Sequence, residues 1–318
     1  MIVTLTLNPS LDRTIEVAEL VRGAMVRAGT ARLDPGGKGV NVSRALAAHG
    51  VATRVVLPRS GPEGERLTAL LAGAGIDVAA VPVSGATRSN VALTEPDGTV
   101  TKINESGSPL RESEVDDIVA AVQAAAVGAD WVVASGSLPP GVPDKFYARL
   151  CQLFADTGVR VAVDTSGPAL KATLTARPAL VKPNREELTE AAGYPVETLG
   201  DAVRAAQDLR TAGAGAVLAS LAAHGAVLVD EAGVSYGRST VRRPRSSVGA
   251  GDAMLAGFLA TGAAGPKALA EALSWGAAAV ALPGSRMPGP IDVGGLVHLH
   301  PDPDLSRSLR DDPDRGDQ

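Results

Sequence analysis

Short apolar runs alternate along most of this chain with longer stretches whose apolar positions recur every three or four residues. Residues 51–57 precede a helical pattern near 64–74, and 131–134 precede 145–157. In the same way 159–164 leads into 169–176 and 180–182 into 185–192, while the apolar run 216–220 follows a helical stretch at 200–212. Strand periodicity giving way to helical periodicity in this way predicts βαβ units and a mainly parallel sheet. The first seven residues alternate as a strand, and from Gly249 onward the pattern turns mostly helical, at 251–261 and 266–282. Two segments, 12–33 and 87–105, break the alternation with short polar-alternating strands and turns such as Pro96-Asp97-Gly98. Paired with each other they would make a small separate sheet, serving as a lid, an edge extension or a dimer surface. No internal repeat is present.

Composition narrows this picture. The 318 residues are 45% hydrophobic, enough for a full-sized α/β domain with a smaller appendage. Only 3% are aromatic, so the core must come from Val, Leu, Ile and Ala, which suits buried parallel strands under Ala-rich helices. Of the net charge of −5, the last 18 residues supply three units through six Asp against three Arg. With no dominant basic patch, nucleic acid is not an expected partner. Cys151 is the only cysteine, which excludes an internal disulfide and fits a reducing compartment. The uncharged run 211–229 carries Gly213, Gly215, Ser220, His224 and Gly225 and reads as strand–turn–strand rather than a membrane span. The expectation is a soluble, cytoplasmic protein whose residues 301–318 form a disordered acidic tail.

The chemistry gathers at predicted strand ends and helix starts. In Ser247-Val248-Gly249-Ala250-Gly251-Asp252, two glycines and an alanine leave backbone N–H groups uncovered where a helix begins. The helix dipole adds positive potential there, so the turn can hold phosphate or charge developing during phosphoryl transfer. Asp252 at its rim would repel a bare phosphate. A carboxylate fits if it takes a proton from a hydroxyl attacking that phosphate. A plain glycine turn with Asp252 in an ordinary first turn is equally consistent. The dinucleotide pattern G-x-G-x-x-G fails at Met254, and Pro35-Gly36-Gly37-Lys38-Gly39 lacks the first glycine and Lys-Ser/Thr ending of a phosphate loop.

Asn8-Pro9-Ser10-Leu11-Asp12 closes the first strand with a carboxylate able to accept polyol hydroxyls, or forms an Asx-type turn. Gly36-Gly37-Lys38-Gly39-Val40-Asn41 sets N–H groups, a cation and an amide together at the start of a helix over 41–49. Ser135-Gly136-Ser137-Leu138-Pro139-Pro140-Gly141 offers hydroxyls or is a simple Pro-Gly connection. In Lys182-Pro183-Asn184-Arg185-Glu186-Glu187 the spacing of Asn184 and Glu187 suits a hydrated magnesium ion and a helix capping box alike.

Together these segments resemble a known family. Gly36-Gly37-Lys38-Gly39-Val40-Asn41-Val42-Ser43-Arg44-Ala45-Leu46, Asp164-Thr165-Ser166-Gly167, Lys182-Pro183-Asn184-x-x-Glu187 and Ser247-Val248-Gly249-Ala250-Gly251-Asp252 are similar in order and spacing to the phosphofructokinase B family of ribokinase-like sugar kinases. The similarity extends to about Leu296. Residues 4–12 and 87–94 look like the branch that phosphorylates fructose 1-phosphate, with tagatose-6-phosphate kinase as a close sibling. The resemblance implies an α/β, ribokinase-like three-layer sandwich with a mainly parallel central sheet (1–11, 34–86 and 106–300) and a small β-sheet lid (12–33 and 87–105). The lid in this family often doubles as a dimer clasp, which leaves a homodimer open.

By the same resemblance Asp252 is the catalytic base, and Gly249, Ala250 and Gly251 form the anion hole. Asp12, Gly37 and Asn41 grip sugar hydroxyls. Arg27 and Arg88 rise from the lid to bind the substrate's own phosphate, with Ser137 and Lys38 assisting. Asn184 and Glu187 organise Mg2+, through water, and the phosphates of ATP. Ser220 to Gly225, Val248 and Gly251 border the nucleotide. Three positions depart from the pattern: Ala253 stands for Ser, Ala222 for the glycine of Ser-Leu-Gly-x-x-Gly, and Met25 for a Lys of some fructose 6-phosphate kinases. The implied reaction is ATP-dependent phosphorylation of a sugar phosphate, fructose 1-phosphate at its 6-hydroxyl, giving fructose 1,6-bisphosphate. Kinases of tagatose 6-phosphate or fructose 6-phosphate, and a catalytically silent sugar-phosphate sensor, are the alternatives.

Overall fold

The computed structural model describes residues 1–310 apart from Gly98 and Arg242. Its strands in chain order are β1 (Ile2–Leu5), β2 (Ser10–Val17), β3 (Ala28–Gly36), β4 (Thr53–Arg59), β5 (Asp77–Pro82), β6 (Arg88–Thr94), β7 (Val100–Asn104), β8 (Trp131–Ser135), β9 (Arg160–Asp164), β10 (Leu180–Val181), β11 (Ala216–Ser220), β12 (Ala226–Asp230), β13 (Gly233–Ser239) and β14 (Val297–His300). The helices are α1 (Lys38–Ala48), α2 (Gly61–Gly73), α3 (Glu112–Ala125), α4 (Phe146–Phe154), α5 (Gly167–Leu174), α6 (Arg185–Ala192), α7 (Leu199–Thr211), α8 (Ala250–Ala260) and α9 (Gly265–Val280).

The central sheet has the order β14-β13-β12-β11-β10-β9-β8-β1-β4-β5. It is parallel from β5 to β11, and β12, β13 and β14 close one edge antiparallel. All four residues of β1 are buried because both faces are covered. Val3 and Leu5 enter the core beneath α3 to α7, whereas Ile2 points into the core beneath α1, α8 and α9. A smaller cluster joins Val55 and Leu57 of β4 to α1 and α2. Helices on two faces of one sheet make the three-layer α/β sandwich that the resemblance implies, built on the mainly parallel sheet that the alternating pattern predicts.

The second sheet has the order β3-β2-β6-β7. Its β2–β3 hairpin pairs Ser10 with Gly36 at one end and Val17 with Ala28 at the other, and β6 runs parallel to β2 with Arg88 opposite Ser10. Residues near 10, 36 and 88 therefore share the end of this sheet that faces the central sheet's carboxyl edge. Residues 20–27 lie at the far end.

Residues 301–310 are a correction to the disordered-tail expectation. Leu309 is fully buried, Leu199 and Gly200 donate backbone N–H groups to Arg307 and Leu305, and Leu309 donates to Glu197. One apolar side chain and free N–H groups at the start of α7 suffice to dock a segment that composition reads as solvated; the rest of the expected tail, 311–318, lies outside the described residues. No helix among the described residues is long and apolar enough to cross a membrane.

Candidate active site

Helix α8 starts at Gly249, whose φ of 77° and ψ of 0° lie in the left-handed region that favours glycine. A Cβ there would fall 2.4 Å from Met287 Cε, a flexible side-chain end that can shift, so it is the backbone that requires glycine. Ala250, Gly251 and Asp252 occupy the first turn, where the Ala250 N–H donates to the Ser247 carbonyl at 3.3 Å and those of Gly251 and Asp252 have no partner within the helix. A Cβ on Gly251 would sit 3.2 Å from Lys182 Nζ, so the missing side chain brings a buried ammonium against this turn.

Asp252 is only 7% exposed. Asn41, in the first turn of α1, donates its Nδ2 to Asp252 Oδ2 at 2.9 Å. Burial, and next the negative charge of Asp164, push the Asp252 carboxyl up to about 6, while Lys182, Asn41 and Lys38 pull the other way. The group is thus an ionised carboxylate at neutral pH, with a proton affinity far above that of an ordinary Asp.

Asp164, at the end of β9, is fully buried between two ammonium groups: Lys38 Nζ at 2.7 Å and Lys182 Nζ at 2.9 Å. Burial alone would favour its neutral form, but Lys182 and Lys38 outweigh it and keep the pKa below the usual carboxylate range. Burial likewise opposes charge on Lys38. Asp164 and Glu187 Oε1, 3.3 Å away, overcome that and hold it protonated, above the ordinary lysine range. Lys182 and Asp164 stood inside the quoted motifs without a role; a lysine and an aspartate ending neighbouring buried strands were the available signal.

The capping-box reading of Asn184 and Glu187 is realised. Asn184 Oδ1 accepts from Glu187 N–H at 2.8 Å, and Glu187 Oε2 accepts from Asn184 N–H at 2.9 Å. Each Glu187 oxygen then has one partner, leaving a lone pair on each that suits metal-bound water. Among the described residues no group of three or more His, Cys, Asp or Glu is arranged to hold a metal ion. Ser220 lies beside Asn184 through a parallel bridge, and Gly225 (φ 93°) ends the turn after β11. Val248 lies next to Gly249, its N–H bonded to Ser246 Oγ.

At the facing end of the small sheet, Asp12 accepts from Ser10 Oγ at 2.6 Å and from Asn90 Nδ2 at 3.0 Å. Its carboxylate presses on Gly36, and the N-cap of α1 is Gly37. Arg88 is bound to Asn8 C=O through Nε and Nη2 and to Glu105 C=O through Nη1; burial lowers its pKa, against the pull of Asp12 and Glu105. Asn8 also donates to the exposed Ser137 hydroxyl at 3.2 Å. Arg27 does not join this group. It precedes Ala28, opposite Val17, seven residues along β2 from the Ser10–Arg88 pair. At about 3.3 Å per residue that is roughly 23 Å, beyond the reach of two arginines.

The family model for pfkB family carbohydrate kinases matches residues 5–284. The chain belongs to this family. It is 41% identical over 263 residues to the 1-phosphofructokinase of Rhodobacter capsulatus, covering 81% of this chain and 82% of the relative. Its fold is that of phosphofructokinase-2 from Escherichia coli solved with potassium, with a TM-score of 0.87 at 33% identity over 92% of this chain and 96% of that one. Arabidopsis thaliana ribokinase, at 22% identity and a TM-score of 0.70 over 92% and 96%, shares the fold. As a pfkB kinase the chain is a phosphotransferase acting on a carbohydrate.

Proposed function

We propose that this kinase transfers the γ-phosphoryl group of ATP to the 6-hydroxyl of fructose 1-phosphate, giving fructose 1,6-bisphosphate and ADP. The observation that carries the reading is the buried Asp252 carboxylate, raised to about 6, at a glycine-opened helix start with Lys182 beside it. In this mechanism Asp252 accepts the hydroxyl proton as the sugar oxygen bonds to the γ-phosphorus. The bond from that phosphorus to the bridging oxygen of ADP breaks. The N–H groups of Gly249, Ala250 and Gly251 meet the charge on the transferring group, and Lys182 and Lys38 supply positive charge beneath it. Asp12 and Gly37 bind sugar hydroxyls, Arg88 and Ser137 the existing phosphate, and Ser220, Gly225 and Val248 the nucleotide. Mg2+ would neutralise the ATP phosphates, and its waters suit the free lone pairs of Glu187 and the Asn184 side chain.

Arg27 fits a phosphate-binding role only from a second copy. The same end of the lid exposes Leu20, Val21 and Met25, and Val100 and Ile103 of β7 are exposed as well, an apolar surface suited to a lid-to-lid homodimer. Substrate choice rests on the 1-phosphofructokinase relatives; Met25, at the far end of the lid with Arg27, bears on it only from a second copy. A coupled ADP-release assay over fructose 1-phosphate, fructose 6-phosphate, tagatose 6-phosphate and fructose tests it. Fructose 1-phosphate is expected to give the highest kcat/KM. A tenfold advantage for another phosphate would overturn the substrate, and no turnover with any would favour a sensor.

A further inference from the structure

We propose that Arg44 is a positioning residue, which fixes the amide of Asn41 so that its nitrogen, and not its oxygen, faces the carboxylate of Asp252. The inference rests on Asp252 being the base. Asn41 and Arg44 are three apart in α1 and so share a face of the helix. Arg44 Nη1 lies 3.1 Å from Asn41 Oδ1, 3.2 Å from the Pro35 carbonyl and 3.0 Å from the Ser285 carbonyl. Its Nη2 is 3.6 Å from Asp34 Oδ1, and Asp34 is held in turn by Arg32 Nε at 2.7 Å. The side chain is 14% exposed, so these contacts leave it one position.

A guanidinium has donors only. The Asn41 atom that faces it must therefore be the oxygen, and the NH2 group must face Asp252, where it donates at 2.9 Å. That bond favours the ionised carboxylate. A reversed amide would set its oxygen against the carboxylate and favour the protonated acid, which cannot act as a base. Arg44 thus decides by hydrogen-bond polarity which form of Asp252 the amide supports. The charged groups facing Asp252 are Asp164 from β9, Lys182 after β10 and Lys38 from α1, with Arg44 one turn further along α1. Those facing Arg44 are Asp34 and Asp12, opposed by Arg32. None of these reaches the Asn41 oxygen, so the orienting role falls to Arg44. Arg44 also forms a wall of a cavity of about 540 Å3 shared with Arg32, Asp34, Arg286 and Met287. There the bonds of Arg32 and Arg44 go to Asp34 and to backbone carbonyls, a fixed lattice behind the amide rather than an open anion site.

The test compares pH profiles of kcat and kcat/KM for wild type, Arg44→Gln, Arg44→Lys and Asp34→Asn. A glutamine amide can donate or accept and no longer dictates the Asn41 orientation. Arg44→Gln should move the acidic limb up by about one pH unit, which lowers kcat about twofold at pH 7 and roughly tenfold well below the limb, with KM for the sugar phosphate little changed. Arg44→Lys, still a pure donor, should keep the limb in place. Asp34→Asn, which leaves Arg44 present but loosened, should move it in the same direction by less and stands in if Arg44→Gln fails to fold. An unmoved limb in both Arg44→Gln and Asp34→Asn, or an equal shift in Arg44→Lys, would overturn the proposal. Asp252→Ala separates the two readings. Retained turnover there removes the base assignment itself, whereas a dead Asp252→Ala beside unmoved limbs removes only the role of Arg44.

Discussion

Asp252 carries two opposing demands, since burial at the start of α8 makes its charge costly and the proposed role as base needs that charge. The outcome is a pKa of about 6, with Lys182, Asn41 and Lys38 limiting the rise that burial and Asp164 produce. Because the folded-state pKa lies above the ordinary value, the group stabilises the fold at low pH and that contribution is lost as pH rises through about 6. Activity runs the opposite way, because only the ionised form accepts a proton. We expect kcat/KM to fall tenfold per pH unit below a limb near 6; a limb near 4 would mean that an ordinary exposed carboxylate is the base. Arg27 and Arg88 looked like partners because both are lid arginines, but the register of β2 against β3 and β6 sets them at opposite ends of a strand. The substitution of Ala for glycine at 222 has a visible cost, because Ala222 holds φ at 51°, a region unfavourable for a side chain with a Cβ.

In helix α6 one short motif serves two ends. Its capping box closes through Asn184 and Glu187 while the second Glu187 oxygen reaches Lys38. Glu187→Gln keeps an acceptor for the Asn184 N–H but removes the charge. It should leave the melting temperature nearly unchanged and lower activity more at limiting than at saturating Mg2+. A lowered melting temperature with equal loss at every Mg2+ concentration would confine Glu187 to capping. Most βα units were legible because each strand and its helix lie close in sequence and carry different periods. The motifs at their junctions were legible for the same reason, since residues such as Gly37, Asn41 and Gly251 sit where a strand end meets a helix start. Helix α3 carried an amphipathic pattern with Glu114 capping at Arg111, yet 112–125 drew no reading because no strong apolar strand run precedes it. Strand β14 was hidden because its support is the distant β13, with Tyr236 opposite His300. The Lys38–Asp164–Lys182 cluster depends on three strands and helices far apart in sequence, so only the fold brings it together.

The whole molecule places the chemistry at the carboxyl edge of a parallel sheet, where β1, β8, β9 and β10 end and where α1 and α8 begin. The small sheet stands over that edge with Asp12 and Arg88, and residues 301–310 strap β14 to α6 and α7 behind it. This arrangement suits a sugar-phosphate kinase, with Asp252 as the proposed base. The most direct measurement is single-turnover transfer of phosphoryl from ATP to fructose 1-phosphate by Asp252→Asn. The substitution keeps the side chain's shape and an acceptor for Asn41, and it removes a charge that burial disfavours, so the melting temperature at pH 7.5 should not fall. ATP binding should persist while the transfer rate drops by about 10²–10⁴-fold. A folded Asp252→Asn enzyme that transfers phosphoryl within about tenfold of the wild-type rate would rule out Asp252 as the base.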